Sequence, residues 1–256
     1  MANLIRMDLY RMARAKRFWI CLALAFLFAA SVTPLSELII KLAGLFGEAE
    51  VQKETSVSFI SLLSNPFPAI NAMLVMLSAC GFFYADVENG YVKNIAGQMP
   101  DKGFTILSKF IAILPHNLLF MLAGVAGSLL GSVFFRRITM QGDVLEALRV
   151  IALKLLLMQS LCCLLLLATT ALQSKSLGTV LAVLMGLGMM PLIYLAIDSG
   201  LNAMLPKKNF AIGDYMPDTL LGEKAPKTLR AILSALITGG IFLPLTIRIF
   251  DKKDVK

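Results

Sequence analysis

The chain has 256 residues, of which 58% are hydrophobic and 16% charged, against about 45–50% and about 25% in ordinary soluble domains. Its net charge is +8, from 24 Lys and Arg against 16 Asp and Glu. The basic residues flank apolar blocks instead of forming one patch, so anionic lipid headgroups, and not nucleic acid, are the expected counter-charge. A soluble enzyme is excluded, and a polytopic all-α membrane protein is expected.

Residues 1–17 come first. They carry Arg6, Arg11, Arg14, Lys16 and Arg17 and read as an amphipathic helix lying in the cytoplasmic interface. Ile5, Leu9 and Met12 share one face, and Arg6, Tyr10, Arg14 and Arg17 another. A cytoplasmic retention signal is the plainer reading and is compatible with it. A basic stretch before an apolar one also resembles a signal peptide, but the apolar block continues past the small residues Ala29, Ala30 and Ser31, and more spans follow.

A helix needs about 20 residues to cross a hydrocarbon core of roughly 30 Å. Six charge-free runs approach that length: Phe18 to Ser36, Thr55 to Ala85, Phe110 to Phe135, Leu155 to Ser174, Ser176 to Ile197 and Ala231 to Ile247. The second is too long for one span, and the N-P-F-P stretch at Asn65 to Pro68 places the helix start near Pro68. The last is short, but Arg230 and Arg248 can snorkel from its ends. Residues 18–250 are thus expected to form a six-span transmembrane domain, followed by a tail at 251–256. The basic N-terminal arm and the tail, with Arg248, Lys252, Lys253 and Lys256, put both ends in the cytoplasm, as an even number of spans requires.

That topology leaves one substantial cytoplasmic loop, 86–109, and an outer segment, 198–230. In the loop, Tyr91, Val92 and Ile95 form a short apolar face that Gly97 and Pro100 end. In the outer segment, apolar stretches alternate with Pro206, Gly213, Pro217, Gly222 and Pro226; it is either re-entrant or an ordinary exposed loop, and irregular backbone at membrane depth must be covered by protein or water.

Lone polar residues in the spans read first as structural. His116 follows Pro115 and precedes Asn117, so a kink stabilised by polar side chains competes with a substrate or proton role. Asn71, Gln159, Thr169 and Thr170 read as interhelical hydrogen-bonding groups. Asp198 is a candidate contact for cationic cargo, and Glu37 with Lys41 has the spacing of a helical ion pair. Ala123, Gly127 and Gly131 recur every fourth residue, which lets a second helix approach closely, from this chain or from another subunit. Pro115, Pro191 and Pro244 favour kinks within spans. Cys21, Cys80, Cys162 and Cys163 lie in apolar blocks and are expected as free buried thiols.

No G-x-x-x-x-G-K-[ST], H-E-x-x-H or G-x-S-x-G stretch occurs, and the chain has a single histidine. No catalytic, metal or cofactor site of its own is expected.

The arm LIRMDLYRMARAKRFWI, the loop ENGYVKNIAGQMPDKGFTILSKF after the second span, the six runs and the terminal IFDKKDVK together resemble the ABC type-2 permease family of bacterial ABC transporters. Glu88, Gly90, Lys93, Asn94 and Lys109 match the family's acid, glycine, Lys-Asn pair and later basic residue; where the family commonly has an arginine before the third span, this chain has Asp101, Lys102 and Gly103. Length and small outer loops are similar to those of lantibiotic immunity permeases. The resemblance implies an exporter-type fold in a bacterial plasma membrane, with a coupling helix containing Glu88, Gly90, Tyr91, Lys93, Asn94 and Lys109. It implies a second permease subunit, identical or related, and cytoplasmic ABC ATPase subunits that hold ATP and Mg. Export of an antimicrobial peptide, export of another lipid-like compound or drug, and a non-transporting scaffold or assembly role are the three readings the sequence leaves open. Asn71, His116, Asn117 and Asp198 are the candidate pathway residues.

Overall fold

A computed structural model of the protein describes residues 2–45, 56–65, 67, 69–88, 103–135, 137–139, 143–172, 174–204 and 211–252. The architecture is overwhelmingly helical. Helices α1 (Ala2–Arg14) and α2 (Lys16–Leu45) are followed by a strand β1 (Ser56–Ser58), a short α3 (Phe59–Leu63), α4 (Ala69–Glu88) and α5 (Gly103–Phe135). Then come β2 (Arg137–Thr139), α6 (Val144–Leu172), α7 (Lys175–Gly186), α8 (Met190–Met204), α9 (Pro217–Gly222) and α10 (Thr228–Lys252).

Four helices are long and apolar enough to cross a membrane: α2 over Lys16–Leu42, α5, α6 and α10. They become five if α7 and α8 count as one broken span. The apolar stretch of α4, Ile70–Ala85, is shorter. Its start at Ala69 obeys the proline break read from the sequence.

The expected continuous span from Ser176 to Ile197 is corrected. Helices α7 and α8 meet at an angle of 84°. Gly188 at the corner has φ 68°, a left-handed conformation that favours glycine. Pro191 then falls in the first turn of a new helix, where its missing N–H costs nothing, instead of kinking an old one. At 12 and 15 residues, each half is short of the roughly 30 Å hydrocarbon core.

Helix α6 is the central post, with 67% of its most apolar window buried against 22–33% in the other three long helices. The sequence explains this, because α6 is apolar on every side, the pattern of a helix surrounded by others. Helix α10 lies along α6, α2 along α5, and α4 along α7. Leu157, Met158, Leu161, Leu165 and Leu166 of α6 meet Val75, Met76 and Ala79 of α4 and Ile113 and Phe120 of α5 in one apolar cluster. The outward faces of α2 and α10 instead expose rows of large apolar side chains, including Leu27, Val32, Leu35, Leu236, Ile237 and Ile241. Contiguous apolar surface of that extent belongs against lipid or protein.

The stripe on α5 is used within the chain. A Cβ added at Gly127 would lie 2.9 Å from Ala29 Cβ, and one at Gly131 would run into the Ala30 carbonyl. Ala123 is half-buried one turn earlier. Thr33 and Ser132 hydroxyls, 3.3 Å apart, add a polar contact at the same seam.

At the far end of these helices, β1 and β2 pair in parallel, with Val57 opposite Ile138. The sequence gave no sign of this clasp. Helix α9, within the outer segment, is tucked against α6 and α10, with Leu220 fully buried, while Asp214, Tyr215 and residues 222–225 around it are exposed. All four cysteines are free and buried.

Candidate coupling end and polar core

Helices α1, α2, α4, α5 and α7 meet at the end of the bundle that carries the N-terminus. Helix α1 turns into α2 at Ala15, and the Trp19 indole donates to the Ala13 carbonyl at 2.6 Å, satisfying a group left open at the helix end. Helix α1 docks through Leu4, Asp8 and Met12, all buried. Ile5 and Leu9 of the expected apolar face are half-buried, whereas Arg14 is exposed and stacks on Tyr10 at 4.7 Å. The centre of the face is therefore shifted by one residue from the sequence expectation. The reason is Asp8, which accepts a hydrogen bond of 2.6 Å from the Ser108 hydroxyl of α5.

Lys109, the next residue, is also buried. Its ammonium lies 4.8 Å from the Phe82 ring centroid and donates to the Phe82 carbonyl at 3.4 Å. It joins α5 to α4. The resemblance made Lys109 part of the coupling helix; its described contacts instead lie inside the bundle.

Glu88 closes α4 and receives a 2.6 Å hydrogen bond from Lys175, the first residue of α7. Both side chains are accessible. That bond holds the Glu88 carboxyl below its usual range, with the charge of the same lysine adding to the effect. The helix of Lys175 starts where it does because Ser174 caps it, its hydroxyl accepting from Leu177 N–H. Between these helices is a cavity of about 190 Å³ whose wall includes Arg11, Arg17, Glu88 and Lys175. Arg17 crosses Gly81 so closely that a Cβ there would sit 2.6 Å from its Nη1. Gly90, Tyr91, Lys93 and Asn94 lie outside the described residues.

Deeper in the bundle, His116 and Asn117 belong to one polar chain across α4, α5 and α6. His116 Nε2 is 3.0 Å from Ser78 Oγ, and His116 Nδ1 is 3.2 Å from Asn117 Oδ1. Asn117 Nδ2 donates to Gln159 Oε1 at 3.0 Å, and Gln159 Nε2 donates to the Phe110 carbonyl at 2.6 Å. A carbonyl only accepts, so the direction runs from Phe110 outward: Gln159 donates to it, Asn117 donates to Gln159, and His116 Nδ1 donates to Asn117, with Nε2 paired to the Ser78 hydroxyl. Every member is satisfied, and Phe18 and Phe120 cover the ring at centroid distances of 5.5 and 4.7 Å. This arrangement fits a network that locks three helices together.

The two other pathway candidates lie elsewhere. Asn71 is buried, and its amide has no hydrogen-bond partner among the described residues. Asp198 accepts from the N–H groups of Ile212 and Gly213 at 2.9 and 3.1 Å, so both its oxygens hold the turn after α8.

Sequence reasoning missed Asp8, Lys175 as the partner of Glu88, and Lys154. Only the last left a local signal, a cation inside the otherwise apolar run VIALKLLLM; it is buried in α6 at 1% exposure. Among the described residues, no group of three or more His, Cys, Asp or Glu is placed to hold a metal. No protein-family model matches this chain, and no curated protein matches it.

Proposed function

We propose that the chain is the transmembrane permease subunit of an ATP-driven ABC exporter, moving a hydrophobic or amphipathic molecule, an antimicrobial peptide foremost, out of the membrane or cell. Two permease subunits, identical or related, would pair with two cytoplasmic ATPase subunits that carry ATP and Mg. The proposal extends to a six-span exporter fold, with α4 and the α7–α8 pair each contributing one crossing, and to a bacterial plasma membrane with both termini cytoplasmic.

The observation that carries this reading is the fastening of α1, α4, α5 and α7 to one another near Glu88 and Gly103, the described residues that flank 89–102. A push on that segment reaches α4 through Glu88, α7 through Lys175, and α5 and α1 through the Ser108 and Asp8 contact. Coupling requires such a mechanical connection, because an ATPase can shift the bundle between two states only by acting differently on each. The absence of a phosphate-binding loop in the sequence assigns hydrolysis to a partner chain.

The test is affinity purification in mild detergent together with the products of neighbouring genes, followed by an ATPase assay. Recovery of a P-loop ATPase whose turnover depends on this chain is the expected result, and substitution of Gly90 or Lys93 should then depress transport-coupled hydrolysis while insertion is normal. Recovery of the chain alone, with its cellular role intact in cells lacking any such ATPase, would overturn the proposal.

A further inference from the structure

A second, larger cavity of about 690 Å³ lies at the opposite end of the bundle, bounded by α3, the first turns of α6, and the link between α9 and α10. Helix α6 separates the two ends. From Glu146 to Leu172 it extends about 40 Å at 1.5 Å per residue.

The wall of this cavity contains Lys154, a residue only 1% exposed. Among the described residues its ammonium has no hydrogen-bond or ion-pair partner. Two acids share the wall, Asp143 and Glu146, and both are already engaged on their own turn of helix. Asp143 accepts from Leu145 N–H at 2.9 Å, capping α6, and Glu146 faces Arg149 at 3.7 Å. Lys224 and the Asn65 amide lie at the accessible rim. The site therefore offers one buried cation, one accessible cation and an amide donor, with two exposed carboxylates at its mouth, one capping α6 and one facing Arg149.

A buried, unpaired ammonium is costly unless an anion meets it. Lysine is a common phosphate binder, acting as a point charge. Ile60, Ala147 and Val150 line part of the wall, which leaves room for a hydrocarbon part beside the charged group.

We infer that this cavity is a phosphate-binding site, in which Lys154 forms the inner contact and Lys224 with Asn65 the outer ones, the phosphate being either free or the headgroup of an amphiphile. The inference is independent of the transport reading, because binding at this end requires no ATPase.

The experiment measures the thermal midpoint of the full-length chain in neutral detergent, since a ligand that binds only the folded state raises it in proportion to RT ln(1 + [L]/Kd). Sodium phosphate is titrated against sodium chloride at matched ionic strength, and phosphatidylglycerol against phosphatidylcholine in mixed micelles. A saturable shift with phosphate that weakens at least tenfold in Lys154→Met, and severalfold in Lys224→Met, supports the site with a free anion as ligand. A shift with phosphatidylglycerol alone, lost in Lys154→Met, supports it with a lipid as ligand. Should Lys154→Met fail to fold, Lys154→Arg must keep the response while Lys224→Met, at the exposed rim, weakens it. No shift with either probe, or equal shifts in the wild type and the variants, overturns the inference.

Discussion

Asp8 and Ser108 are 100 positions apart in sequence, and their 2.6 Å hydrogen bond pins the N-terminal helix to α5. Asp8→Ala strips the buried Ser108 hydroxyl of its acceptor, at an expected cost of about 1–3 kcal/mol. Asp8→Asn keeps an acceptor and should lose less. The Asp8→Ala, Ser108→Ala pair should lose less than the first change alone, because no hydroxyl is then left without its acceptor. Thermal midpoints in detergent, with trypsin cleavage at Arg11 and Arg14 as a local reporter, check all three; an unchanged midpoint in Asp8→Ala removes the contact from any structural role.

Glu88 and Lys175 form an accessible pair, so its value is positional more than energetic. The carboxyl is held below its ordinary 4.5 by the lysine. A depressed acid contributes stability above its unfolded value and loses it as pH falls through the folded one. The stability difference between wild type and Glu88→Gln should therefore be flat from neutrality down to the ordinary carboxylate range and vanish below it. Under the exporter proposal, Glu88→Lys and Lys175→Glu should each depress coupled ATP hydrolysis and the double exchange should restore much of it. Equal activity in all three variants removes the pair from the coupling route.

The core network gives a sharper contrast. Gln159→Leu removes the contacts to Asn117 Nδ2 and the Phe110 carbonyl, leaving Nδ2 only the weak Cys162 Sγ acceptor at 3.6 Å, with an expected loss of about 1–3 kcal/mol. Asn71 has no partner among the described residues, so Asn71→Leu should be neutral or stabilising. Denaturation monitored by the accessibility of the buried cysteines distinguishes the two, and a destabilised Asn71→Leu would point to a partner beyond the described residues.

Glycine substitutions read the α2–α5 seam directly. Gly131→Ala drives a Cβ into the Ala30 backbone, an overpacking expected to cost about 1–3 kcal/mol. Gly240→Ala in α10 meets open space and should gain about 0.5–1 kcal/mol from the better helix former. Midpoints moving in the same direction for both would show that the seam tolerates separation.

Much of the helical framework was legible, because apolar runs and proline breaks are local. Pro68 before Ala69 and the turn at Ser174 fall where local chemistry puts them. The small-residue stripe at Gly127 and Gly131 also announced a close helix crossing. Sequence could not reveal the pairing of Glu88 with Lys175, since the contact depends on α4 lying beside α7. Asp8 was missed because an acid on an amphipathic helix looks solvent-facing until a distant serine meets it. The α7–α8 corner was only half legible: Pro191 announced a kink within one span, but the chain instead breaks at Gly188 and starts a new helix just before the proline.

That corner matches most of its own backbone donors. The N–H groups of Leu187, Gly188 and Met189 turn back onto the carbonyls of Val183, Met185 and Leu184, while Leu192 N–H finds Met189 C=O. Pro191 has no N–H to place. A bend in a spanning segment ordinarily strands backbone dipoles that hydrocarbon cannot solvate. Here the exposed residues at the apex, Leu187 to Met189, present the lipid with side chains and with a backbone whose donors are all internally matched. The elbow thus leaves the Met190 N–H and the carbonyls of Gly186, Leu187 and Gly188 as the groups that water, headgroups or a neighbouring protein must meet.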